Sequence, residues 1–578
     1  MILSQLAAFY QRMLEETDAE LPRPGYSREL IGFVLVLTPE GELRHILPRL
    51  DDKGKARPML VPAPRKQPGS GISPNLFWDN TGYLLGVDNK GKAERSAKTF
   101  AAFRQAHAAL ARDTGNARLE AVAAFLEAWC PEMFAGLDIG DLILDKNGIF
   151  QIEGDQGFLH EQPDIRTIWE EQRRPSGENG LTGVCLVTGK SAPIARIHPP
   201  IKGVSGANPT GAALVSFNCD AFESYGKNQS YNAPVSSEAA EAYTAALNFL
   251  LRKDSGHCLR LGSTSLVFWT EQPGPAEKIF ASCLFYEDGE AVECGADTAE
   301  DRELLGRARA VLRAARDGKK PADSDLAALR EAETRFFLLG LKPNQARLGV
   351  NLWQISSFGQ LLNNLSRHYR DLALAPQYAG DPPLPPLWML LRELAPQGKT
   401  ENIPASLGDA LSRAVLSGGR YPENLPAIVL QRIRADKKIS YLRTALLKAF
   451  LLRNHPSQGA WTMELDDNRK DTPYLLGRLF ALLEKTQSDA VGAVGASIKD
   501  RYIGAASATP LLVFPQLLRL AQHHIGKAGY GKYNEDKIAG VMRGIDVFPP
   551  HLTLPEQGDF FIGYYHQRVA NYQKKEKE

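Results

Sequence analysis

Six cysteines, at positions 130, 185, 219, 258, 283 and 294 of 578, form no C-x-x-C pair and match no H-x-x-x-H spacing. Zinc ribbons and thioredoxin-like redox chemistry therefore lack their ligand spacing, and buried free thiols are expected. No run reaches the roughly 18 apolar residues of a membrane span. Residues 1–10 carry no basic segment before their apolar residues, unlike a signal peptide. These absences predict a cytoplasmic chain without a membrane anchor. Charge of one sign is lacking as well: 68 Lys and Arg stand against 67 Asp and Glu. Bulk charge therefore gives no sign of a polyanion partner, and a nucleic-acid reading has to rest on local patches.

Catalytic signatures are equally scarce. There is no G-x-S-x-G elbow, and the adjacent His523 and His524 lack the H-E-x-x-H spacing that places two imidazoles on one helix face. Thr188-Gly-Lys-Ser191 resembles the end of a phosphate-binding loop. Its first glycine is displaced by one residue, a strand pattern stands where the loop belongs, and Ala192-Pro193 opens a strand rather than a helix. A nucleotide-dependent enzyme built on this turn is thus a weak alternative. Asp138, Asp141, Asp145, Glu153 and Asp155 have no nearby histidine and are expected mostly in solvent. No catalytic residue, metal site or cofactor is predicted.

What is present is the composition of a folded protein, 43% hydrophobic and 23% charged, and a length that calls for roughly two to four domains. Apolar runs predict hairpins over 32–47, 141–152 (turning at Asn147-Gly148) and 183–201, strands over 212–218, 266–269, 279–285 and 336–355, and helices over 101–129, 300–316 and 358–374. Ser237 is expected to cap a helix bearing Ala240, Tyr243, Leu247 and Leu250 on one face. Residues 51–78 are expected to form an exposed basic loop. Five prolines in 376–386 mark a boundary. Beyond it the stripes Leu475/Leu479/Leu483, Leu517/Leu520/Ala521/His524 and Phe561/Tyr565/Val569/Tyr572 predict helices, with His524 as a core histidine. The fold class is α+β: a mixed N-terminal region of hairpins and helices (1–375), a helical connector (376–460) and a C-terminal helical bundle (461–578).

Residues 224–234, SYGKNQSYNAP, hold a lysine, three side-chain amides, two serines and two tyrosines but no carboxylate, histidine or cysteine. A loop without a group that moves protons or attacks carbon suits recognition better than catalysis. Carboxamides donate and accept at base edges and lysine contacts phosphate, while Tyr225 and Tyr231 either stack on a base or fill the interior. A structural turn held by local Asn and Ser hydrogen bonds fits the same residues. The flexible turn GVSGANPTG (203–211) precedes a predicted strand, unlike a dinucleotide fingerprint, which follows one.

The runs GANPTGAALVSFNCDAFESYGKNQSYNAPVS, FFLLGLKPNQARLGVNLW, YLLGRLFALLEKTQ, SIKDRYIGAASATPLLVFPQLLRLAQHHI and FFIGYYHQRVANY, spread in order along the chain, resemble the large subunit of the type I-C CRISPR Cascade complex. The resemblance implies a non-catalytic subunit of a guide-RNA ribonucleoprotein that reads the protospacer-adjacent motif (PAM) in target double-stranded DNA, helps part the strands and presents the displaced strand to a recruited helicase–nuclease. Its implied partners include the backbone and guide-processing subunits. They also include a small subunit, which the C-terminal region resembles and which internal translation from near Met463 would yield. On that reading Lys227, Asn228, Gln229 and Asn232 are expected on the duplex, with Gln229 as a wedge. Arg65, Lys66, Asn75, Asn208 and Thr210 are expected at phosphates or a groove, and Lys499, Arg501, Arg519, Lys527 and Lys532 on the displaced strand. A purely architectural bridging subunit without base readout is the alternative.

Overall fold

The continuous apolar run that ends Tyr26–Leu37 (β1), buried on both faces, builds the first sheet in a computed structural model. The structure describes residues 1–15, 23–64, 71–89, 93–173, 181–261, 263–285, 299–331, 334–399, 402–456, 461–492, 497–527, 529 and 531–572. The first half of β1 pairs antiparallel with Arg57–Pro62 (β3), the second half with Leu43–Pro48 (β2). Its other edge takes Asn147–Ile152 (β5) in parallel, and Trp78–Asn80 (β4) closes the far side of β5. The register with β5 shifts between Ile31 and Phe33, so side chains change faces there. Phe33, Leu35 and Leu37 join Phe103, Phe125, Phe150 and Trp169 in one core. Ile31 and Val34 pack instead with Val61, Trp78 and Ile149.

The hairpin expected over 32–47 forms. That over 141–152 does not, because Gly140–Ile143 is a helical turn and Gly148 lies inside β5. A side chain at Gly148 would run into the Phe33 ring, so this glycine serves close strand packing rather than a turn. The basic loop expected over 51–78 is in part strand, since β3 falls within it. The helix expected over 101–129 is two, Ala93–Thr114 and Ala117–Ala128, separated at Gly115 and restarted by Asn116, whose side chain accepts from the amides of Arg118 and Leu119.

Chain contacts divide the protein into two units, Met1–Ile201 with Val215–Phe249, and Lys202–Leu214 with Leu250–Glu578. The proline-rich 376–386 segment lies inside the second. A short ribbon in the first unit pairs Thr182–Val184 (β6) with Ser191–Pro193 (β7). The second unit opens on an antiparallel sheet in the order β11-β10-β9-β8, formed by Cys258–Leu261 (β8), Thr264–Thr270 (β9), Arg335–Asn344 (β10) and Arg347–Ser357 (β11). Phe268 and Phe336 meet Phe280 on one face, their centroids 5.2 and 4.8 Å from it. Phe280 belongs to the Ala276–Phe285 helix, where a strand is expected: the run is apolar enough for either, and packing against the sheet selects the helix.

Helices follow as far as Tyr572, as an α+β fold with a helical C-terminal region requires. Tyr441–Asn454 and Leu554–Tyr572 are buried nearly all round. Leu554–Tyr572 crosses Thr472–Val491 at two glycines: a Cβ on Gly477 would overlap the Phe560 carbonyl, and one on Gly563 the Tyr474 carbonyl. The stripes Leu475/Leu479/Leu483 and Phe561/Tyr565/Val569 are buried, but Tyr572, expected on the second of them, is exposed at the helix end. His524, expected in the core, is only half-buried near the end of Pro510–Ile525.

Candidate nucleic-acid interface

The strand expected over 212–218 is absent. Only Ala212 and Ala213 make bridge contacts, Ala213 opposite Arg347, and an irregular extended segment leads into the 224–234 loop. The loop nevertheless ends on the expected helix, Ser237–Leu250, with Ala240, Tyr243, Leu247 and Leu250 all buried. Its cap is Ser236 rather than Ser237, because the Ser236 hydroxyl accepts from the Ala239 amide at 3.2 Å. The β6–β7 ribbon pins the loop's exit. Leu186 N–H donates to Pro234 O (2.8 Å), Ala195 N–H to Val235 O (2.9 Å) and Ser236 N–H to Cys185 Sγ (3.2 Å). The Thr188-Gly-Lys turn thus joins two strands, with no helix after it.

Within the loop the chain doubles back sharply. Lys227 N–H donates to Ser224 O at 3.0 Å, and the two central residues, Tyr225 and Gly226, have φ of 55° and 67°, the signature of a type I′ turn. Tyr225 stands 98% exposed at the tip and so fills no interior, whereas Tyr231 is half-buried. Lys227 and Asn228 beside it are exposed. Asn232 plays a different part from the one expected. Its Oδ1 accepts from Ser224 N–H (2.9 Å) and its Nδ2 donates to Gln229 O (2.9 Å) and Lys227 O, so both ends of the amide are spent on the loop's own backbone. It is a staple rather than a reader.

Gln229 combines two costly features. Its φ of 51° is left-handed, and its side-chain Oε1 is buried with no hydrogen-bond partner among the described residues. Its backbone N–H donates to Glu223 Oε1 at 2.9 Å, bringing in a carboxylate from just outside the acid-free stretch. Arg196 is a further addition that the sequence reading missed. It is exposed, its carbonyl accepts from Ser230 N–H at 3.3 Å, and it places a second cation beside the loop. Its signal in sequence was slight, one arginine following the apolar Pro193-Ile-Ala.

The remaining expected residues scatter. Asn208 and Thr210 are exposed but belong to the second unit, where Asn208 Oδ1 accepts from Thr210 N–H (3.1 Å) and Oγ1 (2.9 Å). Asn75, expected at a groove, is only 1% exposed, and its backbone N–H donates to buried Asp79. That burial withdraws it from any polymer surface. Arg65 and Lys66 lie outside the described residues. Arg501, Arg519, Lys527 and Lys532 are exposed and Lys499 half-buried, on or beside three successive helices, Ile498–Ala508, Pro510–Ile525 and Gly531–Met542. None of the five makes an ion pair among the described residues. No helix among the described residues is long and apolar enough to cross a membrane.

An aromatic tip, two cations and an exposed carboxamide, held by an internal staple, present the ring face, charges, donors and acceptor that base edges and phosphates take. Among known proteins, the family described as CRISPR-associated protein (Cas_Csd1) matches residues 6–572. No curated protein matches the chain.

Proposed function

The chain belongs to the Csd1 family of CRISPR-associated proteins, the large subunits of type I-C Cascade, and from that membership we propose that it is the non-catalytic reader of the PAM in target double-stranded DNA. The observation that carries this reading is Gln229. A left-handed backbone and a buried amide oxygen without a protein partner at one residue are costs that a ligand engaging Gln229 relieves. A duplex drawing Gln229 outward gives the amide its hydrogen bonds and sets a wedge beside the Tyr225 tip. Lys227 and Asn228 then face base edges or phosphates, with Arg196 behind them.

On the same reading the protein helps open the duplex for guide RNA pairing within the ribonucleoprotein, alongside the other Cascade subunits. Lys499, Arg501, Arg519, Lys527 and Lys532 line the displaced strand, which is handed to the recruited helicase–nuclease. A small subunit translated from Met463 would keep the helices from Thr472 onward. It would lose Trp461, whose indole N–H donates to Asp559 Oδ1 at 2.6 Å.

The test is a gel shift of guide-loaded complex on targets that differ only in flanking bases, at fixed salt. Lys227→Ala and Gln229→Ala are expected to shrink the preference for the good motif by about tenfold each, the scale of a lost base contact of roughly 1–3 kcal/mol, with assembly unchanged. Equal discrimination in wild type and both variants would make the subunit an architectural bridge instead.

A further inference from the structure

The second unit contains a cavity of about 520 Å³ lined by Arg316, Arg367, Arg370, Lys448 and Arg453 against only two carboxylates, Asp317 and Asp371. Three helices deliver these side chains: Ala299–Arg316 ends on Arg316, Phe358–Leu372 carries Arg367 and Arg370 in its last two turns, and Tyr441–Asn454 carries Lys448 and Arg453. Cations at helix C-termini have an ordinary use, satisfying the last carbonyls, and part of this cluster does that. Arg453 Nη1 donates to Ala414 O (3.2 Å) and Gly419 O (2.9 Å), Arg367 Nη1 to Gly418 O (2.9 Å), Lys448 Nζ to Asp371 O (3.3 Å) and Ala373 O (2.6 Å), and Arg316 Nη2 to Leu374 O (3.2 Å).

Capping uses donors but leaves the cluster's charge uncompensated. Both carboxylates are already engaged, Asp371 by Arg453 Nε at 2.7 Å and Asp317 by Arg316 Nη1 at 2.9 Å. Lys448, Arg367 and Arg370 have no carboxylate among the described residues. One buried donor, Arg453 Nη2, has no hydrogen-bond acceptor among the described residues, although Arg453 is only 5% exposed and its guanidinium lies 4.4 Å from the Tyr421 ring centroid. Burying a guanidinium with an unused N–H is costly, and a cavity beside it too large for a single water lets an anion remove that cost. Guanidinium forks match tetrahedral oxyanions through paired N–H donors, and three surplus cations call for more than one negative charge. The volume is in the range of small-ligand sites.

We propose that this cavity binds a phosphate-class anion, with Arg453, Arg316 and Lys448 as its buried wall and the exposed Arg367 and Arg370 at its mouth. The phosphate comes either from a free pyrophosphate-bearing compound or from the backbone of a nucleic-acid strand. The site is far in sequence from the 224–234 loop and independent of what that loop reads.

Thermal unfolding and titration calorimetry of the full chain test it, with inorganic pyrophosphate in one arm and a short oligothymidylate without terminal phosphate in the other, each against sodium chloride at equal ionic strength. Pyrophosphate near saturation is expected to raise the unfolding midpoint by about 2–4 °C. Arg370→Gln, at an exposed residue with no side-chain partner among the described residues, is expected to weaken binding about tenfold while the free protein melts as wild type. Lys98→Gln, the same charge change on an exposed helix of the first unit, is expected to leave binding unaltered. A response to both probes that Arg370→Gln weakens assigns the site to a strand, and a response to pyrophosphate alone assigns it to a free phosphate compound. No shift beyond chloride with either probe, or undiminished binding in both Arg367→Gln and Arg370→Gln, overturns the proposal.

Discussion

Tyr225 and Gln229 each hold a left-handed backbone that costs a side-chain-bearing residue about 1–2 kcal/mol, whereas asparagine tolerates it far better. Replacing either by Asn is therefore expected to leave the protein as stable or up to about 1 kcal/mol more stable in urea unfolding, while motif discrimination falls. A loss of stability with intact discrimination would show that these residues serve the loop and not the duplex. Asn232→Ala separates the staple from the readers. It removes three hydrogen bonds to backbone groups of the loop, so discrimination is expected to fall as in Lys227→Ala, although Asn232 has no group left to offer DNA. The acid-free composition of 224–234 made this loop legible as a recognition element. Its geometry was not legible, because Glu223 stands one residue outside the stretch and Arg196 reaches it through a carbonyl contact that no spacing announces.

Helices and strands with a clear period came through the sequence reading well. The hairpin of β10 and β11, the helix Phe358–Leu372 and the C-terminal stripes all carry apolar residues where one face demands them. The misreadings share a cause, which is a local signal overruled by packing. Asn147-Gly148 has turn chemistry but lies in a strand against Phe33, and Ile279–Phe285 is an apolar run that a neighbouring sheet makes helical. Glycines inside helices show the same ambiguity, and substitution resolves it. Gly477→Ala and Gly563→Ala place a methyl group against the backbone of the crossing helix and are expected to destabilise by about 1–3 kcal/mol or more. Gly540→Ala, in Gly531–Met542 with open space around its Cβ, is expected to stabilise by about 0.5–1 kcal/mol. Thermal melts of the three variants check the pair of signs, and a common sign would mean the close crossing is absent in solution.

At the scale of the whole molecule, both units bury histidines against tyrosines. His198 Nδ1 lies 2.7 Å from Tyr243 Oη in the first unit; His368 meets Tyr421 at 2.7 Å and His566 meets Tyr474 at 3.0 Å in the second. Burial holds these imidazoles neutral, pushing His198 down to about 4 and His368 and His566 to about 3; Arg453 adds to the effect at His368, and Lys448, Arg469 and Arg478 at His566. In the unfolded chain each takes up a proton near pH 6.5, whereas the folded chain refuses it until pH 3–4. The stability they supply is therefore whole above pH 6.5 and falls as the pH drops, by about 1.4 kcal/mol per pH unit for each histidine. Asp559 works the other way, since burial raises its carboxyl to about 6 and the folded state holds that proton more tightly than the unfolded one. Three histidines outweigh one aspartate. The tyrosine partners close the window from above: burial raises the phenols of Tyr243, Tyr421 and Tyr474, so stability falls again beyond pH 10, where the unfolded chain ionises first. Urea midpoints are expected to drop steadily from pH 6.5 to 5 for the transitions of both units. Midpoints that stay level down to pH 5 would mean that these imidazoles are reached by water and titrate in the folded protein as they do in the unfolded one.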